Sequence, residues 1–166
     1  MLHNSVLRGA AAGAAGTVAL NIATYMDMAI RGRASSDVPA QVAGALTQAV
    51  GLDPQAKQDG QRPVSDEEKA KAKQRLSGLG ALMGYATGLG VGALYGLARP
   101  HLARVSWPLA GLALGAAAMA GSDVPATVTG ATDPRGWGAS GWLSDIVPHV
   151  LYGLVTVVAY DAFTGE

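Results

Sequence analysis

Between Gly78 and Gly96 the chain reads GLGALMGYATGLGVGALYG, and Gly80, Gly84, Gly88, Gly92 and Gly96 recur at every fourth position. In a water-exposed helix each of these glycines costs about 1 kcal/mol relative to alanine, so five in one helix argue against an ordinary soluble helix. Hydrocarbon changes the balance. It offers no water to hydrate an unwound backbone, and small residues four apart line a groove that a second helix backbone can enter. The spacing therefore predicts a transmembrane helix over Leu76 to Ala98 whose glycines form a packing seam, with the other helices arranged around it.

Charge segregation points the same way. The 166 residues are 49% hydrophobic and 14% charged, with no net charge, which predicts neither a nucleic-acid partner nor an acidic substrate. Eight of the twelve Lys and Arg residues lie between Arg31 and Arg75, while the flanking segments are nearly bare. That is the pattern of a charged loop in water between spans in lipid. The chain has no cysteine, so disulfides, thiolate metal sites and cysteine nucleophiles are excluded.

Four spans are expected, over residues 6–30, 76–98, 109–126 and 145–163, with a charged loop over 31–75. The fold class is all-α: a polytopic four-helix membrane bundle with a glycine-seam second span and one short amphipathic helix in the loop. A secretory signal is the competing reading of the first span. Its apolar run outlasts a signal's hydrophobic region and its leading segment carries only Arg8, which favours a span. Gly9 and Gly13 on this span, and Gly111 and Gly115 on the third, repeat the spacing of four and mark further packing faces. In the loop, Val38, Val42, Ala45, Leu46, Ala49 and Val50 share one helical face, with Asp37 or Ser36 as cap and Pro39 in the first turn. Pro54 to Pro63 reads as a polar linker.

Ser65 and Glu68 form a capping box, Glu67 and Lys71 an i,i+4 pair, and no breaker separates them from the glycine run. One helix from about Asp66 to Ala98 follows, stopped by Arg99 and Pro100. The apolar part of the third span runs from Leu109 to about Gly121, with Ser122, Asp123 and Pro125 near or beyond its end. Thr127 to Gly141 reads as a glycine-rich loop with Trp137 and Trp142 as interface anchors, and Ser144 as the cap of a fourth span in which Pro148 falls early. The loops holding Arg31 to Arg75 and Arg135 carry nine Lys and Arg, against Arg8, Arg99 and Arg104 on the other side. The positive-inside rule then puts the long loop in the cytoplasm and both termini outside.

LYGLARP, a glycine-rich span, a loop with Pro125 and Asp133-Pro134, and PHVLYGL with His149 together resemble the YagU-like small inner-membrane proteins of bacteria. The likeness runs from Gly88 to Tyr160. It implies a multi-pass protein of the bacterial inner membrane without an established biochemical activity, in a family linked in general terms to acid tolerance. Of individual positions, only His149 in its PHVLYG context is carried over. The charged loop and its amphipathic segment have no counterpart in that resemblance.

Candidate chemistry is sparse. Asn21, Asp27, Asp123, Asp145 and His149 are polar groups within or at the ends of spans, and alternation of the helices gathers the four ionisable ones towards one side. Thr17, Asn21, Thr24 and Asp27 share a face of the first helix, and Asp145, His149, Tyr152, Thr156 and Tyr160 share one on the fourth. A histidine near carboxylates can exchange protons or join a weak cation site. The structural alternative is that Asp27 pairs with Arg31, Asp145 sits in a helix first turn, Asp123 is interfacial and His149 meets backbone or a tyrosine. His3, His101 and His149 are too scattered for zinc, no phosphate-binding glycine motif is present, and no nucleophile has the required neighbours. No enzyme activity, cofactor or metal is expected. The expected function is a structural or assembly role through glycine-lined packing in the bilayer, by self-association or by docking on a larger membrane complex. The alternative is a small proton- or ion-linked transporter or channel.

Overall fold

A computed structural model of the chain describes residues 2–52, 65–102 and 104–165, so the polar linker expected at Pro54 to Pro63 lies outside the described residues. Five helices follow one another: α1 (Leu2–Arg31), α2 (Val38–Ala49), α3 (Asp66–Ala98), α4 (Trp107–Val128) and α5 (Ala139–Thr164). Single 3-10 turns cover Arg99–Leu102 and Pro134–Gly136, and among the described residues there is no strand. Four segments, Asn4–Arg31, Asp66–Leu102, Trp107–Val128 and Ala139–Thr164, are helical, long and apolar enough to cross a membrane.

The capping box at the start of α3 is formed in both directions: Ser65 Oγ accepts from the Glu68 amide at 3.3 Å, and the Ser65 amide donates to Glu68 Oε2 at 2.8 Å. Lys71 Nζ lies 2.6 Å from Glu67 Oε1. With no breaker after them, these turns continue without interruption into the glycine run.

Elsewhere the helices differ from expectation. α4 runs on through Ser122, Asp123 and Pro125 to Val128, because a proline in the last turn removes only one intrahelical donor. The segment 127–141 is mostly structured: Asp133 Oδ1 accepts from the Arg135 amide at 3.0 Å, Trp137 Nε1 donates to Thr132 Oγ1 at 3.0 Å, and Trp137 meets Trp142 edge-on at 5.1 Å. That small assembly lets α5 begin at Ala139 with Gly138 as its cap residue, so Ser144 is interior to the helix and is not its cap. Asp145 is consequently in the second turn, not the first, and Pro148 is well inside the helix, buried and leaving the Ser144 carbonyl without its usual partner.

α1 is the element the bundle is built on. It packs along both α3 and α5, antiparallel to each, and α4 packs along α5. Close approach is through backbone. A methyl added at Gly13 would stand 2.5 Å from Gly88 O, one at Gly92 would stand 2.6 Å from Gly13 Cα, and one at Gly16 would stand 2.7 Å from Tyr152 O. Between α4 and α5, a methyl on Gly115 would lie 2.5 Å from His149 O and one on Gly153 would lie 2.5 Å from Gly115 N. α5 runs parallel to α3 and bridges to it with tyrosines: Tyr152 Oη donates to Gly88 O at 2.6 Å and Tyr160 Oη to Gly96 O at 3.3 Å. Tyr160 also meets Tyr95 edge-on at 5.4 Å.

The core is therefore alanine and glycine at the close crossings, with Tyr95, Tyr152, Tyr160, Leu114 and Val157 filling the wider spaces. Leu7, Ile22, Met26, Leu82, Leu94, Leu109, Val124 and Val158 point outward and are exposed. An apolar exterior around a small-residue interior is the arrangement suited to lipid.

α2 lies across α3 at Gly80, where an added methyl would stand 2.6 Å from the Pro39 carbonyl carbon. The approach is too close for bulky side chains, so α2 buries Val42, Ala43 and Gly44 and leaves Leu46 and Val50 exposed, a rotation away from the expected apolar face. Asp37 occupies the cap position without a side-chain cap bond, and Ser36 Oγ accepts from the Val38 amide at 3.2 Å.

Candidate functional site

Three groups of polar side chains sit on the helices, and the five residues singled out by sequence divide among them. The first is centred on Asp27 near the end of α1. Its carboxylate is held by Arg31 Nη1 at 3.1 Å one turn on, by Arg33 Nε from the chain beyond the helix, and by Ser144 Oγ of α5 at 3.1 Å. Arg31 Nη1 in turn reaches Ser144 Oγ at 3.0 Å and Ser140 O at 3.5 Å. This cluster fastens the end of α1 to the first turns of α5, and it identifies the Arg31 end of α1 with the α4–α5 connection on one side of the bundle. A cavity of about 220 Å³ opens beside it, walled by Ala23, Leu143, Val147 and Pro148 and rimmed by Asp27, Arg31 and Ser144.

The second group lies between α4 and α5. His149 Nδ1 is 2.8 Å from Asp145 O and 3.2 Å from Asp145 Oδ1, and its Nε2 faces Ser122 Oγ at 3.4 Å. The short contact to a carbonyl requires Nδ1 to carry the hydrogen, and the direction of the Nε2 contact with Ser122 follows the protonation of the ring. Ser122 Oγ also lies 3.4 Å from Asp123 Oδ1, and Asp145 Oδ2 is buried with no hydrogen-bond partner. Two carboxyls, an imidazole and a hydroxyl in contact can pass a hydrogen among themselves. Among the described residues no group of His, Asp and Glu has the geometry to hold a metal ion.

Asn21 forms the third place, remote from both: its amide reaches Tyr85 Oη of α3 at 3.5 Å on an exposed stretch. The cavity beside Asp27, and a second open one bordered by Thr127, Gly130, Thr132, Asp133, Pro134 and Arg135, include neither Asn21 nor His149.

The packing glycines also divide. Gly88, Gly92 and Gly96 of α3 meet α1 at Thr17, Gly13, Gly9 and Ser5; Gly80 meets α2; and Gly84 has nothing within 4 Å of where a methyl would be. Gly9 and Gly13 face α3, while Gly111 and Gly115 face α5. At the opposite end of the bundle Arg99 binds Asp161 from both Nε and Nη2 at 3.2 Å, tying α3 to α5. Sequence reasoning missed this pair and the Ser144–Asp27 bond because each joins residues far apart in the chain, and it missed Arg33 because the chain beyond α1 must fold back to bring it to Asp27. The face containing Tyr152, Thr156 and Tyr160 was legible as a polar row, but its partners were not.

No family model, curated protein or solved structure matches this chain.

Proposed function

We propose that the chain is a multi-pass membrane protein with a structural or assembly role, and that it associates with a second copy or a larger membrane complex through glycine-lined helix packing. The observation that carries this reading is the state of the α3 glycine row. Gly80, Gly88, Gly92 and Gly96 are each covered by backbone or side chains of the same chain, whereas Gly84, in the middle of the row, faces open space. A helix from outside the chain has room to approach there at backbone distance. The long loop over 31–75 is assigned to the cytoplasm by its charge, and the distant likeness to YagU-like inner-membrane proteins fits the same picture.

The test uses the absence of cysteine. Gly84→Cys in the otherwise cysteine-free chain is oxidised in native membranes, and a disulfide-linked dimer is expected on gels, with Leu82→Cys as the control for random collision. Equal crosslinking at both positions, or none at Gly84 together with a monomer in mild detergent and no co-purifying protein, refutes the assembly role.

A second reading, a small proton-linked transporter, is favoured by one observation only: the contact of Asp123, Asp145, His149 and Ser122 between α4 and α5. His149→Gln retains hydrogen bonding without titrating. A proton flux in proteoliposomes that vanishes in this variant selects the transporter, and an unchanged background leaves the packing role.

A further inference from the structure

We infer that the cavity between α1 and α5 is a binding site for an anionic phospholipid, with the headgroup phosphate on Arg31 and part of one acyl chain against Leu143, Val147 and Pro148. The inference rests on the membrane reading given above. It begins with a charge count: one carboxylate, Asp27, faces two guanidiniums, Arg31 and Arg33, which leaves one positive charge at the rim. Arg31 places all three of its contacts, to Asp27, Ser140 and Ser144, on the single nitrogen Nη1. Its Nε and Nη2 donors carry no bond among the described residues, and the side chain is 37% exposed at the cavity edge. Two free donors on a planar guanidinium match two oxygens of a phosphodiester.

Below the rim the wall is apolar, and at about 220 Å³ the space takes part of a chain and not a whole lipid. Depth agrees with this assignment. Trp142 precedes Leu143 in α5 and stacks edge-on with Trp137, and tryptophans of this kind occupy the headgroup level of a bilayer. At the opposite end of the bundle Arg99 is matched by Asp161. A zwitterionic headgroup has no net charge to set against the surplus at Arg31. Inorganic phosphate shares the guanidinium chemistry but has no chain for the apolar wall.

The experiment takes the full chain in mild detergent and offers phosphatidylglycerol, phosphatidylcholine with the same acyl chains, or inorganic phosphate. Retained lipid is read by native mass spectrometry and stability by thermal unfolding. One basic residue near an anionic surface predicts about a fivefold preference for phosphatidylglycerol over phosphatidylcholine. Arg31→Gln, which leaves Asp27 paired with Arg33 and Ser144, should abolish the preference. Val147→Trp fills the cavity from a half-exposed position and should lower phosphatidylglycerol retention with the ion cluster intact, which keeps the test decisive should Arg31→Gln fold poorly. Equal retention of the two lipids by the native chain, a preference that survives Arg31→Gln, or phosphatidylglycerol retention unchanged in Val147→Trp, overturns the proposal. Stabilisation by inorganic phosphate equal to that by phosphatidylglycerol overturns it in favour of a free-anion site. Failure of the membrane reading has its own signature, release of the chain from membranes by alkaline carbonate, and does not depend on headgroup preference.

Discussion

Gly92→Ala puts the packing argument under the most direct strain. The new methyl would stand 2.6 Å from Gly13 Cα and 2.8 Å from Gly13 N, both backbone atoms of a helix that is itself held on α5. Carbon atoms in ordinary contact sit about 3.5 Å apart, so α1 and α3 must separate by close to an ångström. A gap of that size forfeits about a quarter to a half of the dispersion energy wherever the two helices touch. Overpacking of this kind costs about 1 to 3 kcal/mol, and the upper end applies because no side chain can rotate out of the way. Alanine returns up to about 1 kcal/mol in helix propensity, for a net loss of about 2 kcal/mol. In a chain of this size that lowers the melting temperature in detergent by about 4 to 8 °C. Gly90→Ala, outside the every-fourth row, is the control: its methyl meets nothing within 4 Å, and stability is expected to stay level or rise slightly. Gly92→Ala melting at the native temperature would refute the claim that α1 and α3 are in backbone contact.

Three other outcomes are expected. Tyr152→Phe removes the donor to Gly88 O while leaving the ring volume in place, and should cost about 1 kcal/mol by thermal unfolding, with no loss meaning that the 2.6 Å bond does not form. Arg99→Gln leaves the Asp161 carboxylate, largely buried, without its fork of donors and should cost about 1 to 3 kcal/mol; Arg99→Gln with Asp161→Asn should recover part of that, whereas additive losses would show the two do not interact. A topology reporter inserted near Gly60 should respond as cytoplasmic and one after Glu166 as external, because three spans lie between them; the same side for both would mean that an even number of crossings separates them and that the four-span topology is wrong.

The sequence by itself determined the number and kind of elements. Hydrophobic stretches long enough to span, a capping box at Ser65 with no breaker after it, and basic charge concentrated in one loop are local properties, and local properties decide where a helix can exist. Helix starts were less legible where the signal is shared with the surroundings: Ser144 has the chemistry of a cap, but the Trp137 and Trp142 contact and the extended Gly138 begin α5 six residues earlier. The candidate site divided for a related reason. Alternating helices bring Asp27, Asp123, Asp145 and His149 to one end, yet only their rotation about the helix axes decides which of them touch. Asp27 turns to Ser144 on one flank of α5, His149 turns to Ser122 of α4 on another, and Asn21 is left with Tyr85. What tertiary structure alone decided is which small residues become contacts. Five glycines in one periodic row are equivalent in the sequence, but two helices crossing at an angle approach closely over only a few turns, so α1 covers Gly88, Gly92 and Gly96, α2 covers Gly80, and Gly84 falls between them.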